Sequence, residues 1–135
     1  MHKALVIVAL AGLSIPLILV AQTSNVALPQ DKGPAKIDVS AYPPAQQQGY
    51  KVFMDKCAKC HTIARAINTT MSKREWEHYV KLMMQNPKSG INESDGKIIF
   101  EFLTYDQATR KDKNPATFFK YSSAGDAAKP NTAQH

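Results

Sequence analysis

The chain has 135 residues, 44% hydrophobic and 21% charged, with 17 basic against 11 acidic side chains and a formal net charge of +6. That length supports one small domain and leaves no room for a TIM barrel, a doubly wound nucleotide-binding sheet or a multi-span membrane protein. The ordinary apolar content excludes collagen-like and wholly disordered chains, and two cysteines are too few for a disulfide-dense secreted framework.

His2 and Lys3 open the chain, and no charge follows from Ala4 to Ala21. A basic start, an apolar run and a small-residue exit define a secretory signal peptide. A run of this length also reaches the lower limit, about 17 residues, for crossing a bilayer. Residues 1–21 are therefore expected to be a cleaved signal peptide or a retained N-terminal anchor. Either way the remainder is exported, to a periplasmic location, soluble or membrane-tethered through residues 4–21. Residues 22–45 hold Pro29, Pro34, Pro43 and Pro44 without helical or strand periodicity, which predicts a linker or an adherent coil. Residues 46–121 carry the fold, and residues 122–135, small, polar and Pro-containing, read as a frayed tail.

Three helical patterns occupy the middle. The first runs from Gln46 to about Cys60, with Tyr50, Phe53, Met54 and Cys57 at i, i+3, i+4 and i+7. The second starts at Ser72, with Glu75 at the capping-box spacing, shows Trp76, Tyr79, Val80 and Met83 on one face, and stops at Asn86-Pro87. The third starts between Asn92 and Ser94 and turns Ile98, Ile99, Phe102 and Leu103 to one side. No sustained alternation competes, so the predicted class is all-α. Three short helices make a thin core, and a further group is expected to fill the middle.

Cys57-Ala58-Lys59-Cys60-His61 is a Cys-x-x-Cys-His sequence, the attachment signature of c-type haem. Two thiols about one turn apart can each add across a vinyl group on one porphyrin edge, and the adjacent histidine is carried beneath the ring to bind iron. A thioredoxin-like pair would open a helix after a strand, whereas this motif closes a helix. A zinc site needs four ligands, and His78 and His135 are scattered. A plain disulfide between Cys57 and Cys60 would leave His61 unexplained. One haem c, held by two thioethers and carrying one iron, is the expected cofactor.

The string Gly49-x-x-x-Phe53-x-x-x-Cys57-x-x-Cys60-His61 resembles the opening of small class I cytochromes c. The resemblance covers about Gln46 to Arg110. It implies a cytochrome c-like fold of three to four helices wrapped around one covalent haem. It also implies that the helix bearing Gly49 and Phe53 crosses a C-terminal helix, here Ile98 to Leu103, at close range. Relatives place a Gly-Pro-x-Leu stretch soon after the histidine, whose proline carbonyl accepts the imidazole N–H. Thr62 to Thr70 contains neither Gly nor Pro, so the partner that orients His61 is unassigned. Trp76, Val80 and Met83 match the Trp-x-x-x-Val-x-x-Met helix of short haem domains in electron-accepting subunits of oxidoreductases.

Such cytochromes complete the iron with a methionine. Met54 reads as core packing, and Met71 follows His61 too closely to pass around a haem edge. On a helical wheel Met83 lies about 20° from Trp76 and Met84 about 80° away. Met83 is favoured as the sixth ligand, with Met84 the rival if the helix unwinds before Pro87. The alternative for both is plain packing, the usual use of a flexible thioether. His78 falls on the opposite face from Trp76. Trp76 is either a propionate neighbour or a core anchor, and Arg65 and Lys59 are either propionate partners or surface charges.

His/Met ligation leaves iron no open position, so the expected chemistry is outer-sphere electron transfer, with the thioether and an apolar shell favouring the ferrous state. The expected function is a mono-haem c-type cytochrome passing single electrons between periplasmic or membrane redox partners, alone or as the electron-transfer subunit of an oxidoreductase. A haem enzyme or gas sensor with an open or labile sixth site is the alternative. Lys51, Lys56 and Lys59 either steer an acidic redox partner or form a solvated face. Nothing in the pattern suggests nucleic acid. Phe118, Phe119 and Tyr121 are expected to fold back over the core or to dock a partner.

Overall fold

Pro43 and Pro44 set the start of the first long helix. Pro44 supplies the fixed φ that suits a first helical turn, and α1 spans Pro44–Cys57 in the computed structural model, which describes residues 27–121. The expected signal or anchor at residues 1–21 and the tail at 122–135 lie outside the described residues. Helix α1 thus begins two residues before the predicted Gln46. It stops at Cys57 rather than Cys60, although no Gly or Pro marks the stop. No helix among the described residues is long and apolar enough to cross a membrane.

The predicted capping box forms at Ser72. Its hydroxyl accepts from Glu75 N at 3.3 Å, and the Glu75 carboxylate accepts from Ser72 N at 2.7 Å, opening α3 at Lys73–Gln85. Asn92 and Asp95 make the same reciprocal pair at the head of α4, Glu93–Asp106. Gly90, at φ 61°, takes the left-handed turn that separates the two helices.

Helices α1 and α4 cross at Gly49, where an added Cβ would lie 3.0 Å from Phe102 Cβ and 3.6 Å from Ile98 O. The missing side chain lets Phe53 and Phe102 meet with ring centroids 5.4 Å apart. Phe53, Trp76, Ile99, Phe102 and Leu103 are almost wholly buried and form the core with Ile63, Ile67 and Val80.

The protein is all-α in its bulk, and three features escape the helical pattern. A short α2, Ala64–Ile67, follows the Cys-x-x-Cys-His motif. Two-residue strands β1, Thr69–Thr70, and β2, Phe119–Lys120, pair in parallel. Beyond α4 the chain makes a π-helical turn at Gln107–Lys111 and a 3-10 turn at Pro115–Thr117. Phe118 is buried beneath Arg110, and Tyr121 meets Tyr79 edge-on at 6.2 Å, so the C-terminal aromatics fold back onto the bundle.

The Pro-containing segment before α1 is a strap laid on the bundle. Its 3-10 turn, Pro29–Lys32, buries Gln30 and places Asp31 against Arg65, with contacts at 2.9 and 2.6 Å. Further along, the Tyr42 hydroxyl donates to Asp106 at 2.8 Å. Strap, π turn and C-terminal strand supply contacts that three helices lack. Buried side chains from these elements pack together through the middle of the described residues.

Candidate functional site

At its C-terminal end, α1 presents Cys57 at the bottom of a side cleft of about 220 Å³. Cys60 and His61, carried round by the following turn, line the same cleft. The last turn of α3 contributes Met83, and Asn86, Ser89 and Ile91 complete the lining. Cys57, Cys60, His61 and Met83, separated by up to 26 positions in the chain, thus share one wall-to-wall space.

The helix wheel separates the two methionines, and the structure gives each a distinct place. Met84 turns to the α4 side, where its thioether packs over Gly96. It lines a larger open groove of about 570 Å³ with Val80 and Phe100 under a mixed rim of lysines and glutamates. That groove is the roomier space, but it contains neither a thiol nor an imidazole, so the chemistry points to the smaller cleft. Met54 is half-buried against the core, and Met71 is buried within it.

His61 Nδ1 lies 3.1 Å from Thr62 O. A carbonyl only accepts, so the tautomer that makes this bond carries its proton on Nδ1 and leaves the Nε2 lone pair free for a metal. Thr62 is itself fixed, since its hydroxyl accepts from Ala64 N at 3.2 Å.

Burial, with a smaller push from Cys60, raises the Cys57 thiol to about 12. The C-terminal end of a helix also disfavours a thiolate. Cys57 is therefore a neutral thiol at physiological pH, the reverse of the acidic nucleophile in a redox dithiol. Among the described residues no group of three or more His, Cys, Asp or Glu side chains is placed to hold a metal ion.

Tyr79 lines the cleft one helical turn before Met83. It is 8% exposed, and its hydroxyl has no hydrogen-bond partner among the described residues. Burial holds the phenol well above its usual range, so it is a neutral donor. Sequence reasoning placed Tyr79 on the apolar face and missed this hydroxyl.

Other candidates sit elsewhere. Trp76 is wholly buried, donates from Nε1 to Gln107 at 3.2 Å, and is a core anchor. His78 is exposed. Arg65 pairs with Asp31. Lys56 lines the cleft, but its ammonium is tied to Asp95 at 2.9 Å and to Gly90 O at 3.2 Å. Lys51 and Lys59 are exposed.

The donor set fits haem c: two thiols, an imidazole with a free Nε2 and a thioether line one cleft, beside a buried phenol hydroxyl. The volume is below the range of about 300–1,000 Å³ typical of pockets that enclose a ligand. A macrocycle held here would therefore keep an edge in solvent. No protein-family model, curated protein or solved structure matches the chain.

Proposed function

We propose that this chain is a mono-haem c-type cytochrome of cytochrome c-like fold that passes single electrons between redox proteins outside the cytoplasm. The observation that carries the reading is the convergence of Cys57, Cys60, His61 and Met83 on one cleft. Cys57 and Cys60 would hold the haem as thioethers, and His61 and Met83 would bind its iron. When bound, haem would supply reversible one-electron storage.

The chain's own residues do the rest. The Thr62 carbonyl orients the His61 ring through Nδ1, and Tyr79 offers its hydroxyl to an acceptor on the occupant. Ile91 and the ring of Tyr79 keep water from the inner wall. The Lys56–Asp95 pair ties the end of α1 to the head of α4. The export expected from the sequence of residues 1–21 would suit this reading, because c-type haem is attached outside the cytoplasm. Lys51 and Lys59, the two motif-side lysines left exposed, suit an acidic redox partner.

The test is expression of the full chain in cells that mature c-type cytochromes, followed by mass and optical spectra. Covalent haem, a far-red iron–thioether band in the oxidised form and no response to carbon monoxide in the reduced form are expected. Ready carbon monoxide binding would move the reading to a haem enzyme or sensor, and exported chain without haem would refute it.

A further inference from the structure

Lys111 is wholly buried, and no other lysine or arginine among the described residues is. Its ammonium donates to Ala66 O at 2.8 Å and Thr69 O at 2.7 Å, lies 4.6 Å above the Trp76 ring and stands 3.6 Å from Asp106. The preceding Arg110 donates to Ile67 O at 3.0 Å while forking onto Asp106 at 2.8 and 2.7 Å. The π turn makes this pairing possible. Asp112 N reaches back to Gln107 O, and in the widened turn two consecutive cations both face one segment.

All three carbonyls belong to the stretch that follows His61. Helix α2 has four residues, too few to hold itself, and beyond the Asn68 N–H its last carbonyls take their partners from Arg110 and Lys111. The stretch also lacks the Gly-Pro element that the cytochrome resemblance leads one to expect. We infer that Arg110 and Lys111 are positioning residues for His61: by gripping the carbonyls of Ala66, Ile67 and Thr69 they fix α2, and with it Thr62, the acceptor of the imidazole N–H. The inference rests on the haem reading of the cleft. A buried ammonium is costly to keep where an apolar side chain of similar length would fill the same space. Here both carbonyls that accept from it lie on the histidine segment, while Asp106 and the Trp76 ring offset its charge.

The test uses the full chain carrying its haem, with Lys111→Met, Arg110→Gln and the exposed control Lys113→Met. In the oxidised protein the spread and order of the haem methyl proton resonances report the orientation of the axial ligands. The Lys111→Met and Arg110→Gln variants are expected to keep covalent haem and helical content yet shift that pattern, while Lys113→Met reproduces the wild type. Folded variants with the wild-type pattern would overturn the inference. Should Lys111→Met fail to accumulate, Arg110→Gln alone decides, because it is partly exposed and loses the same kind of contact. A chain that acquires no haem refutes the reading of the cleft instead. The pair is then tested on the ring nitrogens of His61 in the haem-free chain. The Nδ1-protonated tautomer is expected in the wild type and its loss in Lys111→Met, and identical tautomers would overturn the inference.

Discussion

Tyr79→Phe separates the two states of the cleft by the sign of its effect. In the haem-free chain the hydroxyl is buried without a partner, and an unsatisfied buried donor costs about 1–3 kcal/mol. The ring itself is well placed, edge-on to Trp76 at 5.7 Å and to Tyr121 at 6.2 Å, and phenylalanine keeps both contacts. Removing the oxygen should therefore stabilise the haem-free chain by about 1–2 kcal/mol. With haem bound and offering an acceptor, the same change removes a satisfied hydrogen bond and should destabilise by about 0.5–1.5 kcal/mol. The expected swing between the two forms is thus about 1.5–3.5 kcal/mol.

Urea unfolding of four proteins measures it. The wild type and Tyr79→Phe are each compared with intact cysteines and haem, and again with Cys57→Ala and Cys60→Ala and no haem. Burial keeps the phenol neutral across the working pH range, so no titration of Tyr79 confuses the comparison. A change of the same sign in both forms would refute the assignment of the hydroxyl to the cleft's occupant.

Met83→Ala should abolish the far-red thioether band and admit carbon monoxide while the haem stays covalently attached. Met84→Ala should leave both spectra unchanged and cost about 2 kcal/mol in urea unfolding, because it empties the contact over Gly96. For Gly49→Ala, helix propensity gains about 1 kcal/mol, but a Cβ placed 3.0 Å from Phe102 Cβ costs about 1–3 kcal/mol in overpacking. Its thermal midpoint should fall, and a rise would refute the close crossing. Burial lowers the Lys111 ammonium to about 7, with Asp106 and Asp112 opposing and Arg110 assisting. Between about 7 and its ordinary 10.5 the unfolded chain binds more protons than the folded one, so this lysine makes stability rise with pH across that window. The stability difference between wild type and Lys111→Met should therefore grow in favour of the wild type from pH 7 to pH 10, and a flat difference would count against a buried, titrating ammonium.

Local rules carried the parts of the fold that local interactions build. Ser72 and Glu75 are a complete cap within four residues, Asn86-Pro87 is a complete stop, and the wheel that set Met83 beside Trp76 also sent Met84 to the other face. The Gly49 crossing was legible through the cytochrome resemblance, since a glycine inside a helix says only that something approaches closely. What stayed hidden depends on single long-range contacts without period. The strap is held by Asp31 on Arg65 and Tyr42 on Asp106, and neither leaves a pattern in residues 27–43. Lys111 sits in a run of charges that reads as surface, and only the π turn brings it inward. Strands of two residues are too short to alternate, and a hydroxyl on an apolar face is indistinguishable from any other core tyrosine.

The filled core changes what the haem has to explain. A group needed to complete the interior would leave the haem-free chain molten, with helices but no fixed packing. Here Phe53, Phe102, Trp76, Ile99 and Leu103 already pack together, and the cleft lies to one side of them between the ends of α1 and α3. The haem reading therefore stands on the four converging side chains and not on a missing core. It follows that the Cys57→Ala, Cys60→Ala chain should still unfold cooperatively, with near-ultraviolet dichroism from Trp76 intact. Haem should add stability without creating the fold. A haem-free chain with far-ultraviolet helix signal, no near-ultraviolet signal and no cooperative transition would show that the interior is not closed by protein alone, and would restore the haem as its centre.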